Sequence, residues 1–280
     1  MTDVLVNGIR INYEARGDGT PLVLAHGYGA TLDMWSQQVE EFSQRYKVVV
    51  YDTRGHGHTE APRDWSSYTA DDYIEDQRQL MDQLGIDSAY IGGLSMGGMI
   101  ALQFALTYPE RTKALLLCDT AASNRRLGGQ QPEGRVGRTV RDFIIRDVVP
   151  FGFVVARYLP LQALPQIRKA PEGIRSYVRD MRQHTALGLR GAWHALMTRP
   201  DMEDRLGEIS VPTLIIVGDR DNLVEASRIM QDGIRGCRFV LIEDSPHGTA
   251  NWRPDAFNKA VAEFLDDVEA GRPVEGETVL

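Results

Sequence analysis

The chain has 280 residues and carries 31 Lys plus Arg against 39 Asp plus Glu, a formal net charge of −8. That balance excludes the basic footprint of a nucleic-acid binder, and 42% hydrophobic with 25% charged residues is the mix of a chain that buries a core. The first residues show no basic stretch leading into an apolar one, and no apolar run is long enough to span a bilayer, so a cytoplasmic protein away from membranes is expected.

In chain order, Val4–Leu5 and Ile9–Tyr13 flank Asn7-Gly8, which predicts a hairpin. Pro21–Ala25 and Lys47–Tyr51 are continuous apolar runs of the kind that form parallel strands covered on both faces. They lead into His26-Gly27-Tyr28-Gly29 and Asp52-Thr53-Arg54-Gly55-His56-Gly57 respectively. A helix is predicted over Asp33–Arg45, and a second over Thr69–Leu84, with Thr69 as N-cap and Gly85 as stop. Ala89–Gly92 reads as a strand, Met96–Leu106 as an apolar helix, and Ala114–Cys118 as a further strand. Alternating strands and helices with short links mean a parallel sheet flanked by helices.

The alternation lapses near Ala121 and resumes near Val211, where Thr213–Val217 and Arg238–Ile242 are strands and Asp255–Val268 a closing helix. Between them lie several prolines and helical stretches such as Gly173–Leu187. A core of residues 1–120 and 201–280, interrupted by a helical cap over 121–200, is therefore expected. Gly271–Leu280 reads as a loose tail. Cys118 and Cys237 sit in apolar runs and are expected as packed thiols rather than a disulfide.

Gly93-Leu94-Ser95-Met96-Gly97 is a G-x-S-x-G pattern, weak alone but placed here between an apolar strand and an apolar helix. A sharp strand-to-helix turn there exposes the Ser95 hydroxyl, and the helix starting at Met96 aims free N–H groups at whatever Ser95 attacks. Serine needs a base oriented by a carboxylate. Of six histidines, only His247, in Asp244-Ser245-Pro246-His247-Gly248, lies just beyond a late strand. Gly218-Asp219-Arg220-Asp221 follows the preceding strand in the same way, offering Asp221 and Asp219, with Asp119 as a further rival.

These motifs resemble those of the α/β-hydrolase fold serine hydrolases. The resemblance implies a mostly parallel sheet with a helical cap, Asp221 as the acid that closes the G-x-x-D turn, and backbone N–H groups of Tyr28 and Met96 as the oxyanion hole. Tyr51–Gly57, Gly93–Gly98 and Asp119–Ala122 are, more narrowly, similar to 3-oxoadipate enol-lactonases and related carboxylesterases. The activity this resemblance implies is hydrolysis of an ester or lactone through an acyl-enzyme on Ser95, with no cofactor and no metal. Two rivals are a C–C bond hydrolase of a diketone, which uses the same three residues, and a ligand-binding receptor with a vestigial triad.

His56 and His58 form H-x-H without further ligands nearby, so a solvated turn is expected there rather than a metal site. Trp193, Leu196 and Met197 lie on a predicted cap helix, where they line an acyl pocket or pack the insert onto the core. Residues 121–200 hold 14 basic residues (13 Arg and Lys169) and 5 acidic ones, a local +9 that leaves −17 for the rest. Arg175, Arg179 and Arg182 recur on one helical face. They form either a solvated face that pairs with the acidic core or a set that draws in an anionic substrate. The expected partner is thus a small-molecule ester or lactone, and a homo-oligomer is compatible with the composition.

Overall fold

The computed structural model describes residues 2–124, 165–169, 175, 177–179 and 181–280. Its frame is one nine-stranded sheet in the order β1-β2-β4-β3-β5-β6-β7-β8-β9. β1 (Thr2–Val6) and β2 (Ile9–Arg16) form the hairpin, closed by Asn7 and Gly8 with φ of +43° and +77°. Positive φ at both positions is the geometry of a type I′ turn, which Asn-Gly adopts with little strain. β2 runs antiparallel to β4 (Lys47–Tyr51), and every later pairing is parallel: β3 (Pro21–Ala25), β5 (Ala89–Leu94), β6 (Thr112–Cys118), β7 (Thr213–Gly218) and β8 (Arg238–Ile242).

Side chains alternate across this sheet into two cores. Val23, Val49, Ile91, Leu115 and Ile215 face one way, and Leu22, Val48, Tyr90, Leu116 and Leu214 the other. Both faces being buried explains why these strands read as unbroken apolar runs. Helices α2 (Ala70–Gln83), α3 (Met96–Thr107) and α5 (Val224–Gly233) cover the first face; α1 (Ser36–Phe42) and α7 (Pro254–Glu269) cover the second. α4 (Ala186–Thr198) packs onto α2, and α6 (Thr249–Trp252) precedes α7. Thr69 and Asp72 form a reciprocal capping box at the start of α2, worth about 1 kcal/mol.

The chain leaves β3 toward β4 on one side and leaves β5 toward β6 on the other. Adjacent strands whose connections diverge open a crevice at their carboxyl ends, and ligands of open α/β sheets bind there. Here that crevice lies between the turn after Ala25 and the turn at Ser95.

The structure departs from the sequence expectations in three places. Gly271–Leu280 is not a loose tail: Gly276–Val279 forms β9, parallel to β8, and Arg228 holds Glu277 at 2.6 and 2.8 Å. The unpaired backbone edge of β8 recruits this polar segment, which has no apolar period to announce it. The helix expected over 33–45 begins as a 3-10 turn, Leu32–Trp35, because Leu32, Met34 and Trp35 are all buried and spaced too closely for one α-helical face. Gly173–Leu187 is broken at His184–Thr185, where the Thr185 hydroxyl accepts the Gly188 N–H and starts α4 instead. Much of the predicted insert lies outside the described residues.

Candidate active site

β5 ends at Leu94, and Ser95 then turns the chain into α3 with φ +57° and ψ −115°. A side-chain-bearing residue held there costs on the order of 1–3 kcal/mol, so its surroundings must impose the conformation. The Ser95 N–H donates to Cys118 O at 2.9 Å, and its carbonyl accepts the Met99 N–H at 3.1 Å and the Thr120 hydroxyl at 2.7 Å. Backbone also packs directly on backbone. A Cβ on Gly93 would lie 2.3 Å from the Gly97 carbonyl carbon, and one on Gly97 would lie 2.0 Å from Ala25 O. The two glycines of the motif therefore let β3, the turn and α3 close up beneath Ser95. Met96, the first residue of α3, presents one of the N–H groups that a helix leaves unpaired at its start.

The acid and the base stand on the loops after β7 and β8. His247 Nδ1 lies 2.8 Å from Asp221 Oδ2, and Asp221 Oδ1 accepts the Leu223 N–H at 3.0 Å. Asp221 is 2% exposed at its side chain, while that of His247 is 47% exposed. The other two carboxylates have separate tasks. Asp219 accepts the Ser245 N–H at 3.0 Å. Asp119, fully buried, accepts Gly218 N–H at 3.2 Å, Gly248 N–H at 3.2 Å, and both the N–H and the hydroxyl of Thr249 at 2.7 Å. Asp119 thus ties the β7 turn to the residues that follow His247.

Desolvation acts to lower the His247 imidazole, but the hydrogen bond to Asp221 and the charges of Asp119 and Asp221 outweigh it and hold the group above the ordinary histidine value. Burial pushes the Asp119 carboxyl up to about 6, opposed by His247 and by the Thr249 hydrogen bonds.

The turn after β3 lies against Ser95: a Cβ on Gly27 would sit 3.6 Å from Ser95 Cβ. Tyr28 anchors this turn to α4, donating from its hydroxyl to Leu189 O at 2.9 Å and meeting Trp193 edge-on at 5.0 Å between ring centroids. Trp193 Nε1 is buried with no acceptor among the described residues. A narrow apolar crevice alongside α3 is lined by Tyr73, Met96, Met99, Ile100, Ala195 and Leu196, with buried Arg199 at its border. Leu196 therefore faces that crevice, whereas Met197 packs on the neighbouring core without lining it. Arg175, Arg179 and Arg182 are exposed.

The solvated turn expected at His56-Gly57-His58 is half right. His58 is exposed, but His56 is fully buried, because the segment around His184 covers it. The turn is fixed from beneath as well. Asp52 accepts the Leu32 N–H, the His58 N–H and the Asn12 side-chain amide at 2.8–2.9 Å, and Arg54 grips Asp76 through Nε at 2.9 Å and a terminal nitrogen at 2.5 Å. Burial pushes Asp76 up to about 6 despite that contact. No signal in the sequence marks Asp76 or His184, whose partners lie 22 and more than a hundred residues away.

A family model described as the alpha/beta hydrolase fold matches residues 20–254. This chain belongs to the α/β-hydrolase family. Among curated relatives, the α/β-hydrolase is 29% identical over 260 residues to 3-oxoadipate enol-lactonase 2 of Acinetobacter baylyi, covering 90% of this chain and 92% of that protein. It is also 29% identical over 251 residues to a putative 2-succinyl-6-hydroxy-2,4-cyclohexadiene-1-carboxylate synthase of Bacillus subtilis, covering 88% and 90%. Among solved structures, the enol-lactonase from Burkholderia xenovorans superposes with a TM-score of 0.77 at 30% identity, covering 95% of this chain and all of that one. A thermophilic esterase from Thermogutta terrifontis superposes at 0.79 and 29% identity, covering 96% and 99%. Among the described residues, no helix of this α/β-hydrolase is long and apolar enough to cross a membrane.

Proposed function

We propose that the protein hydrolyses a small carboxylic ester or lactone through an acyl-enzyme on Ser95. The observation that carries this reading is the pairing of His247 Nδ1 with buried Asp221 at 2.8 Å, on loops at the same sheet edge as the strained Ser95 turn. Asp221 accepts from Nδ1–H and so leaves Nε2 bare, the tautomer that takes a proton.

In the reaction, Ser95 Oγ attacks the substrate carbonyl while His247 Nε2 accepts its proton. The tetrahedral oxyanion is held by the backbone N–H groups of Tyr28 and Met96, each such donor typically supplying about 3 kcal/mol. Collapse breaks the bond to the alkoxy oxygen, which leaves with the proton from His247. Water then attacks the acyl carbonyl, His247 taking its proton and returning it to Ser95 Oγ as the acid departs. In a lactone, the alcohol and the acid remain one molecule.

In this reading Trp193, edge-on to Tyr28, and Met197 bound the substrate on the α4 side, and the narrow crevice beside Met96 takes no more than a small apolar group. Residues 1–120 and 201–280 supply the catalytic core in this reading, and 121–200 the cap. Stoichiometric labelling of Ser95 by a phosphonofluoridate, with turnover of a p-nitrophenyl ester falling about 10⁶-fold in Ser95→Ala, is the expected result. Unlabelled Ser95, or full turnover by the alanine variant, would overturn the proposal.

A further inference from the structure

Three buried histidines surround the turn that faces Ser95, and each one bridges two pieces of backbone or side chain. His26, His56 and His184 are 0%, 0% and 1% exposed. His26 and His56 meet at 5.0 Å between ring centroids and His56 and His184 at 5.3 Å, both edge-on. His26 Nε2 accepts the Thr53 N–H at 2.9 Å, while its Nδ1 lies 2.7 Å from Gly27 O. His56 Nε2 accepts the Gly29 N–H at 3.1 Å, and its Nδ1 lies 3.1 Å from the Thr53 hydroxyl and 3.3 Å from Arg54 O. His184 Nδ1 accepts the Gly57 N–H at 3.0 Å, and its Nε2 lies 2.9 Å from Gly29 O.

These contacts dictate both tautomer and charge. A ring nitrogen that accepts from a backbone N–H is bare, so the other nitrogen of a neutral ring carries the hydrogen. His26 and His56 are therefore Nδ1–H and His184 is Nε2–H, and in each the protonated nitrogen faces an oxygen. An imidazolium has no bare nitrogen, so charging any one ring sets an N–H against an N–H. Both polar groups of Gly29 are held this way, its N–H by His56 and its carbonyl by His184. Among the described residues, the titratable and charged groups facing the cluster include Asp52, whose charge favours a cationic His26, the Tyr28 ring at 5.7 Å from His56, Tyr177 near the Tyr28 carbonyl, and the imidazoles themselves. Arg54 contributes only its carbonyl, its guanidinium being committed to Asp76. Burial lowers His26 and lowers His56 well below the ordinary value.

We propose that His26, His56 and His184 are positioning residues which, as neutral imidazoles, clamp the 26–29 turn in the conformation that serves Ser95, and whose protonation releases it. The inference rests on the reading of Tyr28 N–H as an oxyanion donor. It also makes His184 the link through which the segment before α4 bears on catalysis.

The test compares His56→Leu, which removes the acceptor for Gly29 N–H, with His56→Gln, whose amide oxygen reaches the same place. His56→Leu should lower kcat for a p-nitrophenyl ester about a hundredfold with little change in KM, and His56→Gln should recover most of it. Nitrogen-15 imidazole spectra of the intact wild-type protein should show Nδ1–H signals for His26 and His56 and an Nε2–H signal for His184. A pH-rate profile of the same protein should show kcat falling more steeply than first order in protons once these rings become charged. Wild-type kcat in His56→Leu, a loss that His56→Gln does not relieve, or charged rings at neutral pH would overturn the clamp. So would a first-order fall through the pH at which His56 charges. Wild-type protein whose Ser95 takes no phosphonofluoridate would overturn the hydrolytic reading and the clamp's catalytic role with it, while leaving the tautomers as found.

Discussion

His56 and His247 are the same residue type, yet they are driven in opposite directions. His56 is fully buried beside two other imidazoles, with no carboxylate in contact among the described residues, and is held well below its ordinary value. His247 is partly open to solvent, touches Asp221 and feels Asp119, and is held above its ordinary value. The residue type is the same, so the difference is entirely one of neighbours. His247, the base of the proposed reaction, sits beside carboxylates, whereas His56, which presents a bare nitrogen to the Gly29 N–H, is packed against imidazoles.

The largest test of this contrast is Asp221→Asn. Because an amide favours the wrong imidazole tautomer, kcat should fall about ten-thousandfold. With the charge and its hydrogen bond gone, the acid limb of kcat/KM should move to lower pH, which a pH-rate profile would reveal. A limb that stays in place would mean that Asp221 does not set the His247 titration.

Asp119→Asn should act more weakly, since Asp119 reaches His247 only through Gly248, Thr249 and its charge. A loss of about tenfold in kcat and a smaller downward move of the same limb are expected. A loss as large as that of Asp221→Asn would erase the distinction between the two carboxylates.

The smallest effect concerns stability. An unfolded histidine takes up its proton near pH 6.5, whereas folded His56 resists protonation to lower pH. Below that point the unfolded chain binds more protons at this site, so the stabilising contribution is lost as pH falls. Relative to His56→Gln, the wild type should lose up to about 1.4 kcal/mol per pH unit in that window. Urea melts of both proteins at neutral and mildly acidic pH measure it, and parallel curves would contradict a neutral buried His56.

Much of the architecture was legible because its signals are local. The apolar runs of β3 to β8, the Asn7-Gly8 turn, the Thr69 cap and the glycines around Ser95 each depend on residues only a few positions apart. The candidate residues Ser95, Asp221 and His247 were visible for the same reason, each falling just beyond the carboxyl end of a parallel strand. The helix expected over 33–45 is present as Ser36–Phe42, replaced by a 3-10 turn at its start and by a turn over residues 43–45 at its end.

Other features were decided by segments far apart in the chain. Which of three acids meets His247 depends on how β6, β7 and β8 lie side by side, and that pairing gives Asp221 to the imidazole and Asp119 to the loop behind it. β9 exists because β8 leaves an open edge, not because Gly276–Val279 has a strand pattern. His56 reads as a surface histidine in its own Gly-rich turn and becomes a buried acceptor only when His184 closes over it, 127 positions from its hydrogen-bonding partner Gly57. Local propensity and periodicity thus determined the strands, helices and turn that carry the candidate chemistry. Tertiary packing decided which way His26, His56 and His247 are pushed, because desolvation and hydrogen-bond partners are properties of what surrounds a side chain.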